Sequence, residues 1–145
     1  MKGVVSMLFQ TVNICCYNRM MTKRSKETQQ AYDEARKQGK TIIAVDAEGR
    51  RFLDWTQTTI IREYDYWAII ANDFPYDTIF TTHDLLLPKR HFAFIRDATD
   101  AERHEYYRIK KELDQEGNYE SLIENFSNSR SVEKHFHVHL VDWVD

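Results

Sequence analysis

An alternating run of histidines and apolar residues near the carboxyl end constrains the fold more than any other feature. Residues 135–141 read His-Phe-His-Val-His-Leu-Val. Successive side chains of a β-strand point to opposite faces, so His135, His137 and His139 share one face. A rise of about 3.3 Å per residue puts neighbouring histidine Cα atoms about 6.6 Å apart. The run predicts a strand with its apolar face on a core helix and three imidazoles presented to a ligand on the other.

Three interpretations of this histidine row stay open at the level of residue pattern. The imidazoles can be ordinary polar-face residues of a strand. They can be metal ligands, because two histidines at positions i and i+2 suit a strand-borne zinc site, with His83 as a third ligand. They can also carry nucleophilic or phosphate chemistry, because a neutral imidazole is a nucleophile near pH 7.

Composition narrows the class of protein. The chain has 145 residues, enough for one domain with its own core, and its 20 basic and 23 acidic side chains give a net charge of −3. That sign argues against binding nucleic acid through the overall field, and the 30% of charged residues argues against a membrane protein. The adjacent Cys15 and Cys16 have no other cysteine to pair with, which favours a reducing, cytoplasmic compartment.

The pattern along the chain predicts an α+β fold with a mostly antiparallel sheet, an N-terminal helix and one long helix packed on the sheet. Residues 1–21 are expected to be a weakly structured leader, and residues 22–145 a single domain. Thr99 and Glu102 have the spacing of a capping box at the start of the long helix. The predicted helices span residues 25–38 and 97–117. The predicted strands span residues 41–45, 51–55, 66–71, 83–87, 92–95, 119–126 and 134–143.

A second segment adds to the histidine row. Residues 82–91 read Thr-His-Asp-Leu-Leu-Leu-Pro-Lys-Arg-His. Together with the row, this segment resembles the histidine triad (HIT) superfamily, whose hallmark His-φ-His-φ-His-φ-φ is matched in full by residues 135–141. Residues 85–103 also resemble the C-terminal half of galactose-1-phosphate uridylyltransferases, which share that fold. The resemblance covers residues 64–143 and implies a HIT-like fold for residues 22–145.

The resemblance implies a nucleotide hydrolase or nucleotidyltransferase that acts at the α-phosphate through a covalent nucleotidyl-histidine intermediate. His137 matches the nucleophile, and His135 is implied to orient it through the backbone network. His139 would contact the phosphate or the leaving group, with a positive charge that stabilises the phosphoryl oxygens. His83 matches an upstream histidine beside the triad.

Further site residues follow from the same resemblance. Asn125 matches a phosphate-side asparagine, and Ser131 stands where family members place a hydroxyl or amide near the leaving group. Asn72 or Asp73 falls near the ribose-binding position. Lys89, Arg90, His91 and Lys134 either form a positive rim for a phosphate or are exposed strand-end residues.

The expected partner is a nucleotide or nucleotide conjugate, such as a phosphoramidate, a dinucleoside polyphosphate or a nucleotide sugar. Neither a membrane nor a nucleic acid is expected as a partner, and the resemblance implies a homodimer. Covalent histidine catalysis requires no metal, so no cofactor is assigned. The alternatives are a histidine-ligated metal-binding protein and a catalytically silent nucleotide-binding module.

Overall fold

The structure is a computed structural model that describes residues 23–40, 42–126 and 135–145. The expected leader, Ser131 and Lys134 lie outside these residues. Two α-helices and seven strands occur in the part described. The helices are α1 (Lys26–Lys37) and α2 (Asp100–Glu116). The strands are β1 (Ile43–Val45), β2 (Arg51–Leu53), β3 (Ile60–Glu63), β4 (Trp67–Ala71), β5 (Phe80–Pro88), β6 (Ser121–Glu124) and β7 (Val138–Trp143).

Five strands form an antiparallel sheet in the order β3-β4-β5-β7-β6, and β1 pairs with β2 in a separate hairpin. The predicted α+β class with a mostly antiparallel sheet is therefore confirmed. The register pairs Leu85 of β5 with His139 of β7 and His83 with Val141. Because alternate residues share a face, His83, Leu85 and His139 belong to the same face of the sheet.

Helix α2 covers the opposite face and builds the main core. Thr99 and Glu102 form the predicted capping box: the Glu102 N–H donates to Oγ1 of Thr99 at 3.2 Å, and the Thr99 N–H donates to the Glu102 carboxylate at 2.7 Å. At the other end, Gly117 has a φ of 66°, a left-handed conformation that glycine adopts without steric cost. The buried helix residues Tyr106 and Ile109 face a cluster of sheet and loop side chains. That cluster includes Trp67, Ile69, Leu86, Phe92, Phe136, Val138 and Leu140.

Both faces of β4 are buried. Trp67 and Ile69 belong to the core under α2. On the other face, Ile70 packs with Leu85 and Leu87, and the β1–β2 hairpin adds Ile43 to this second cluster. The histidine-bearing face of the sheet is thus closed at one end by the hairpin.

Helix α1 is fixed to the connection between β4 and β5. Its N-cap, Ser25, donates from its backbone N–H at 2.6 Å and from its hydroxyl at 2.7 Å to the Asp77 carboxylate. Thr28 donates its hydroxyl to the same carboxylate at 2.6 Å. The Tyr32 ring meets the Phe74 ring edge to face, with centroids 5.5 Å apart. Neither helix is long and apolar enough to cross a bilayer, among the residues described.

Two predicted elements differ from the structure, and one strand was not predicted. Residues 92–95 do not form the predicted strand, and Ile95–Asp97 is a short 3-10 turn that leads into α2. Strand β3 was not predicted, because Ile-Ile-Arg-Glu lacks alternation and pairs with β4 across a register shift between Ile60 and Arg62. Strand β7 begins at Val138, not at residue 134, so His135 and His137 precede it.

Candidate active site

Two neighbouring strands bring His83 and His139 together. His83 lies near the start of β5 and His139 near the start of β7, and their rings meet with His83 Nε2 at 2.7 Å from His139 Nδ1. The Tyr76 backbone N–H donates to Nδ1 of His83 at 2.9 Å. Because an N–H can only donate, Nδ1 of His83 carries the lone pair and its Nε2 carries the proton. His83 therefore donates to His139.

This direction fixes the protonation of His139. Its Nδ1 accepts from His83, so in the neutral ring the proton sits on Nε2. The Asn125 side-chain amide lies 2.9 Å from this Nε2. A protonated Nε2 requires an acceptor, so the carbonyl oxygen of the amide, rather than its nitrogen, faces His139. His139 is thus a neutral donor at Nε2.

Burial reinforces the neutral state of both rings. His83 and His139 are about 5% and 4% exposed. Burial is the main cause that lowers the pKa of His83 to about 4 and the pKa of His139 to about 3. The charge of Arg24 and then His137 lower the pKa of His83 further, and His137 and His83 lower that of His139. The expectation of a positively charged His139 is therefore wrong, because an imidazolium would lose its hydration and the bond from His83.

A second set of contacts orients His137. Its Nδ1 lies 3.0 Å from the backbone carbonyl of His135. A carbonyl oxygen only accepts, so the proton of neutral His137 is on Nδ1 and the lone pair is on Nε2. The ring meets that of His139 edge to face, with centroids 5.2 Å apart. His137 is therefore held in the tautomer that a nucleophilic Nε2 requires.

His135 is in turn held by residues at the end of β5. Its Nε2 lies 3.2 Å from the Pro88 carbonyl and its Nδ1 lies 2.8 Å from Nδ1 of His91. The carbonyl takes a proton from Nε2, so Nδ1 of neutral His135 accepts from His91. His91 was predicted only as a rim residue, although it ends the segment that carries the family resemblance.

The predicted exposure of the imidazole row is wrong in this structure. His135, His137 and His139 are 1%, 2% and 4% exposed. The apolar side of the row behaves as predicted, because Phe136, Val138 and Leu140 are buried in the core under α2. The exposure prediction assumed that strand geometry continued through residue 135. Instead, the Phe136 N–H donates to the Phe92 carbonyl, and His135 turns towards Pro88.

The remaining predicted site residues are divided between the cluster and its surroundings. The Asn72 side-chain nitrogen lies 3.4 Å from both ring nitrogens of His83, at the long limit of a hydrogen bond. Its side-chain oxygen accepts from the Phe74 N–H at 3.0 Å. Asp73 is exposed on the same connection. Ser131 lies outside the described residues.

The predicted positive rim is mostly occupied by ion pairs. Lys89 pairs with Glu63 at 2.7 Å. Arg90 binds both carboxylate oxygens of Glu102 at 2.8 Å, in a bidentate pair that links the end of β5 to the first turn of α2. Both side chains support the ends of secondary-structure elements.

Tyr76 completes the cluster and had no sequence signal. Its ring lies 4.8 Å from that of His83 and stacks on that of His139 at 6.0 Å, as centroid distances. Its backbone N–H sets the tautomer of His83. No periodic pattern distinguishes this residue within the polar connection between β4 and β5, so sequence reasoning missed it.

The described residues contain no group of three or more histidine, cysteine or acidic side chains placed to hold a metal ion. The proposed ligand set of His83 with two triad histidines meets a further obstacle. Both ring nitrogens of His83 are engaged, because Nδ1 accepts from the Tyr76 N–H and Nε2 bonds to His139, so His83 has no lone pair directed at a metal.

Comparisons with known proteins give structural neighbours only. No family model matches the chain, and no curated protein matches it. The chain is similar to a HIT family hydrolase from Legionella pneumophila Philadelphia 1, with 28% identity and a TM-score of 0.43, over 59% of this chain and 80% of that one. It is also similar to a HIT family hydrolase from Clostridium thermocellum, with 23% identity and a TM-score of 0.47, over 61% and 81%. A histidine triad protein from Clostridium difficile has 23% identity and a TM-score of 0.43, over 61% and 80%.

Proposed function

We propose that this chain is a nucleotide hydrolase or nucleotidyltransferase that acts at the α-phosphate through a nucleotidyl-His137 intermediate. The observation that carries the proposal is the 3.0 Å contact between Nδ1 of His137 and the His135 carbonyl. It leaves the lone pair on Nε2, where a nucleophile needs it. The residue pattern of the histidine triad, complete over residues 135–141, supports the same assignment.

The reaction has two displacements at phosphorus. Nε2 of His137 attacks the α-phosphorus, and a P–N bond forms as the bond to the leaving group breaks with its electron pair on the leaving group. Water or a second acceptor then attacks the same phosphorus, the electron pair of the P–N bond returns to Nε2, and the proton of the attacking group is released to solvent. Positive charge on the His137 ring during the first step strengthens its Nδ1–H bond to the His135 carbonyl.

The other residues are proposed to position the nucleophile and the phosphate. His91 and His135 act through the backbone and keep His137 in one tautomer. His139 is proposed to exchange its Nε2–H bond to the Asn125 oxygen for a bond to a phosphoryl oxygen, and the Asn125 NH2 group is proposed to donate beside it. Asn72 and Asp73, on the connection before β5, are proposed to lie on the ribose side.

Burial of His137 sets a condition on this chemistry. With 2% of its surface exposed, its Nε2 cannot touch a phosphate in the arrangement described. In-line attack needs the reacting atoms about 3 to 3.5 Å apart. Nucleotide binding must therefore be coupled to a local opening at this ring. The apparent dissociation constant is then the intrinsic one divided by the fraction of molecules that are open.

Kinetics on a panel of nucleotide conjugates test the proposal. The panel contains an adenosine and a guanosine phosphoramidate, a dinucleoside polyphosphate and a nucleotide sugar. Wild-type protein is expected to release the nucleoside monophosphate from at least one of them, and His137→Ala is expected to lose this activity. His104→Ala, which removes an exposed imidazole from α2, serves as the control and is expected to keep it. Equal rates for His137→Ala and wild type would contradict the proposal.

The same burial favours a second candidate, a catalytically silent nucleotide-binding module. If the His137 ring stays buried when a nucleotide binds, the histidine cluster has a structural role and forms no covalent bond to the nucleotide. Such a module would bind a nucleotide with equal affinity in the wild type and in His137→Ala, and neither protein would release product.

The setting of the activity is likewise proposed. Two cysteines with no partner elsewhere in the sequence fit a reducing cytoplasm. A homodimer is proposed from the family resemblance alone, and a nucleotide or nucleotide conjugate is the proposed partner.

A further inference from the structure

The residues just before helix α1 place two positive charges beside the imidazole cluster. The Arg24 guanidinium lies between two aromatic rings, 4.3 Å from the Tyr32 centroid and 4.7 Å from the Tyr76 centroid. Its Nε donates to the Phe74 carbonyl at 3.0 Å. The Lys23 ammonium is 5.3 Å from the Tyr76 centroid. Both cations therefore lie close to the Tyr76 ring.

Tyr76 also connects these cations to the site. Its ring stacks on the His139 ring, with centroids 6.0 Å apart. The distance from the Lys23 ammonium to the His139 centroid therefore cannot exceed the sum of this 6.0 Å and the 5.3 Å between the ammonium and the Tyr76 centroid. The electrostatic effect is consistent with this placement. Burial is the largest cause of the lowered pKa of both rings. The charge of Arg24 lowers the pKa of His83 further, and the charge of Lys23 contributes to lowering the pKa of His139.

Neither cation forms an ion pair with a carboxylate within the described part of the chain. Arg62, Lys89 and Arg90 all pair there with glutamates. The Asp77 carboxylate, on the connection between β4 and β5, accepts hydrogen bonds from Ser25 and Thr28. Lys23 is exposed and Arg24 is half-buried. Contacts with the Tyr32 and Tyr76 rings and the bond to the Phe74 carbonyl already restrict the guanidinium, so binding an anion costs it less side-chain entropy.

We propose that Lys23 and Arg24 form a second, anion-binding subsite, which binds the phosphates of a substrate beyond its α-phosphate. The inference rests on the proposed function, because the α-phosphate position is the one beside His137. It selects among substrate classes. A nucleoside or dinucleoside polyphosphate places negative charge on the leaving-group side, where these cations can bind it, whereas a phosphoramidate with an uncharged amine gives them no ligand.

Binding by calorimetry tests the subsite without any turnover. The probes are AMP and α,β-methylene ATP, whose α,β bond cannot be hydrolysed, together with their guanosine counterparts. Wild-type protein is expected to bind the triphosphate analogue at least about tenfold more tightly than the monophosphate, as a hydrogen bond to a charged group provides. Lys23→Glu is expected to remove most of this ratio and to leave the monophosphate affinity unchanged, and Lys23→Arg to preserve it.

A matched control separates the subsite from the general charge of the protein. Lys37→Glu makes the same change of charge at the exposed far end of α1 and is expected to keep the wild-type ratio. The proposal is overturned if wild type binds both phosphate lengths equally or binds neither, or if the two glutamate variants lose the ratio alike. For Arg24→Gln, the affinity ratio is measured together with the midpoint of thermal unfolding, because Arg24 also bonds to the Phe74 carbonyl and supports that loop.

The subsite and the covalent mechanism fail in different ways. A nucleotidyl-His137 adduct with equal binding of mono- and triphosphate leaves the mechanism standing and removes the subsite. A clear affinity ratio that depends on Lys23, with no adduct on any substrate, removes the mechanism and keeps the subsite.

Discussion

Fixed backbone groups determine the tautomers of the histidines in this site. The Tyr76 N–H can only donate, and the Pro88 and His135 carbonyls can only accept, so each sets the proton position on the ring it meets. The hydrogen bond between His83 and His139 then fixes the tautomer of His139, and the hydrogen bond between His135 and His91 fixes that of His91. The site therefore holds its rings in defined orientations, and these few contacts select one tautomer for each ring in its neutral form.

The contact of His91 with His135 predicts a measurable loss of stability. His91→Ala removes the donor to Nδ1 of a buried ring, and the loss of such a buried hydrogen bond costs about 1 to 3 kcal/mol. The free energy of unfolding in urea measures this cost. The matched variant His104→Ala, in the exposed face of α2, is expected to change it by less than about 0.5 kcal/mol. Equal effects of the two variants would show that the His91 contact does not support the site.

The lowered pKa values of His83 and His139 predict that acid destabilises the fold. With folded-state pKa values of about 4 and about 3 against an ordinary 6.5, the unfolded chain takes up protons at a higher pH than the folded one. Their stabilisation is complete above pH 6.5 and is lost as the pH falls towards 4. The free energy of unfolding is expected to drop by about 2 kcal/mol from pH 6 to pH 5.

Urea denaturation at both pH values measures this drop. His83→Gln cannot titrate at this position and is expected to show about half of the wild-type drop. A free energy of unfolding that does not change over this interval would mean that both rings are accessible to protons in the folded protein.

At the scale of elements, local signals were readable from the sequence and long-range ones were not. The capping box of α2 was predicted because Thr99 and Glu102 are three residues apart and act on each other. The start of β7 was misplaced because it depends on distant groups, the Phe92 and Pro88 carbonyls, which draw residues 135 and 136 away from the sheet. Strand β3 escaped prediction because its pairing with β4 compensates for a sequence without alternation.

The capping box gives a prediction at this scale. Thr99→Ala removes the side-chain acceptor of the Glu102 N–H and is expected to lower the free energy of unfolding by about 1 kcal/mol. Thr59→Ala, at another exposed threonine, is the control and should have a smaller effect. A chemical denaturation series at one pH is sufficient to compare them, and the cap contributes nothing if the two midpoints coincide.

At the scale of the whole molecule, the main apolar core and the candidate site lie on opposite faces of the sheet. One face carries α2 and the large apolar core, and the other carries the imidazole cluster, the β1–β2 hairpin and the loop fixed by α1. The residue types of the site were predictable, because the alternating row and the segment ending at His91 are visible in the sequence. Its burial and the role of Tyr76 were not, because both arise where separate strands and loops converge.

The proposed homodimer is a prediction at the scale of the whole molecule. Sedimentation velocity is expected to give twice the chain mass of 17.4 kDa over the micromolar range. A single species of 17.4 kDa at all concentrations would contradict it, without affecting the chemistry proposed for one chain.

Covalent chemistry at His137 is tested most directly by intact-mass spectrometry after brief incubation with nucleotide conjugates and rapid quenching at alkaline pH. Wild-type protein is expected to gain the mass of one nucleoside monophosphate, and the gain should disappear on acid treatment, as a P–N bond does. His137→Ala should gain nothing, whereas His104→Ala should gain the same mass as wild type. A wild-type protein that hydrolyses a conjugate but never carries the added mass, or an adduct that persists in His137→Ala, would contradict nucleophilic catalysis by His137.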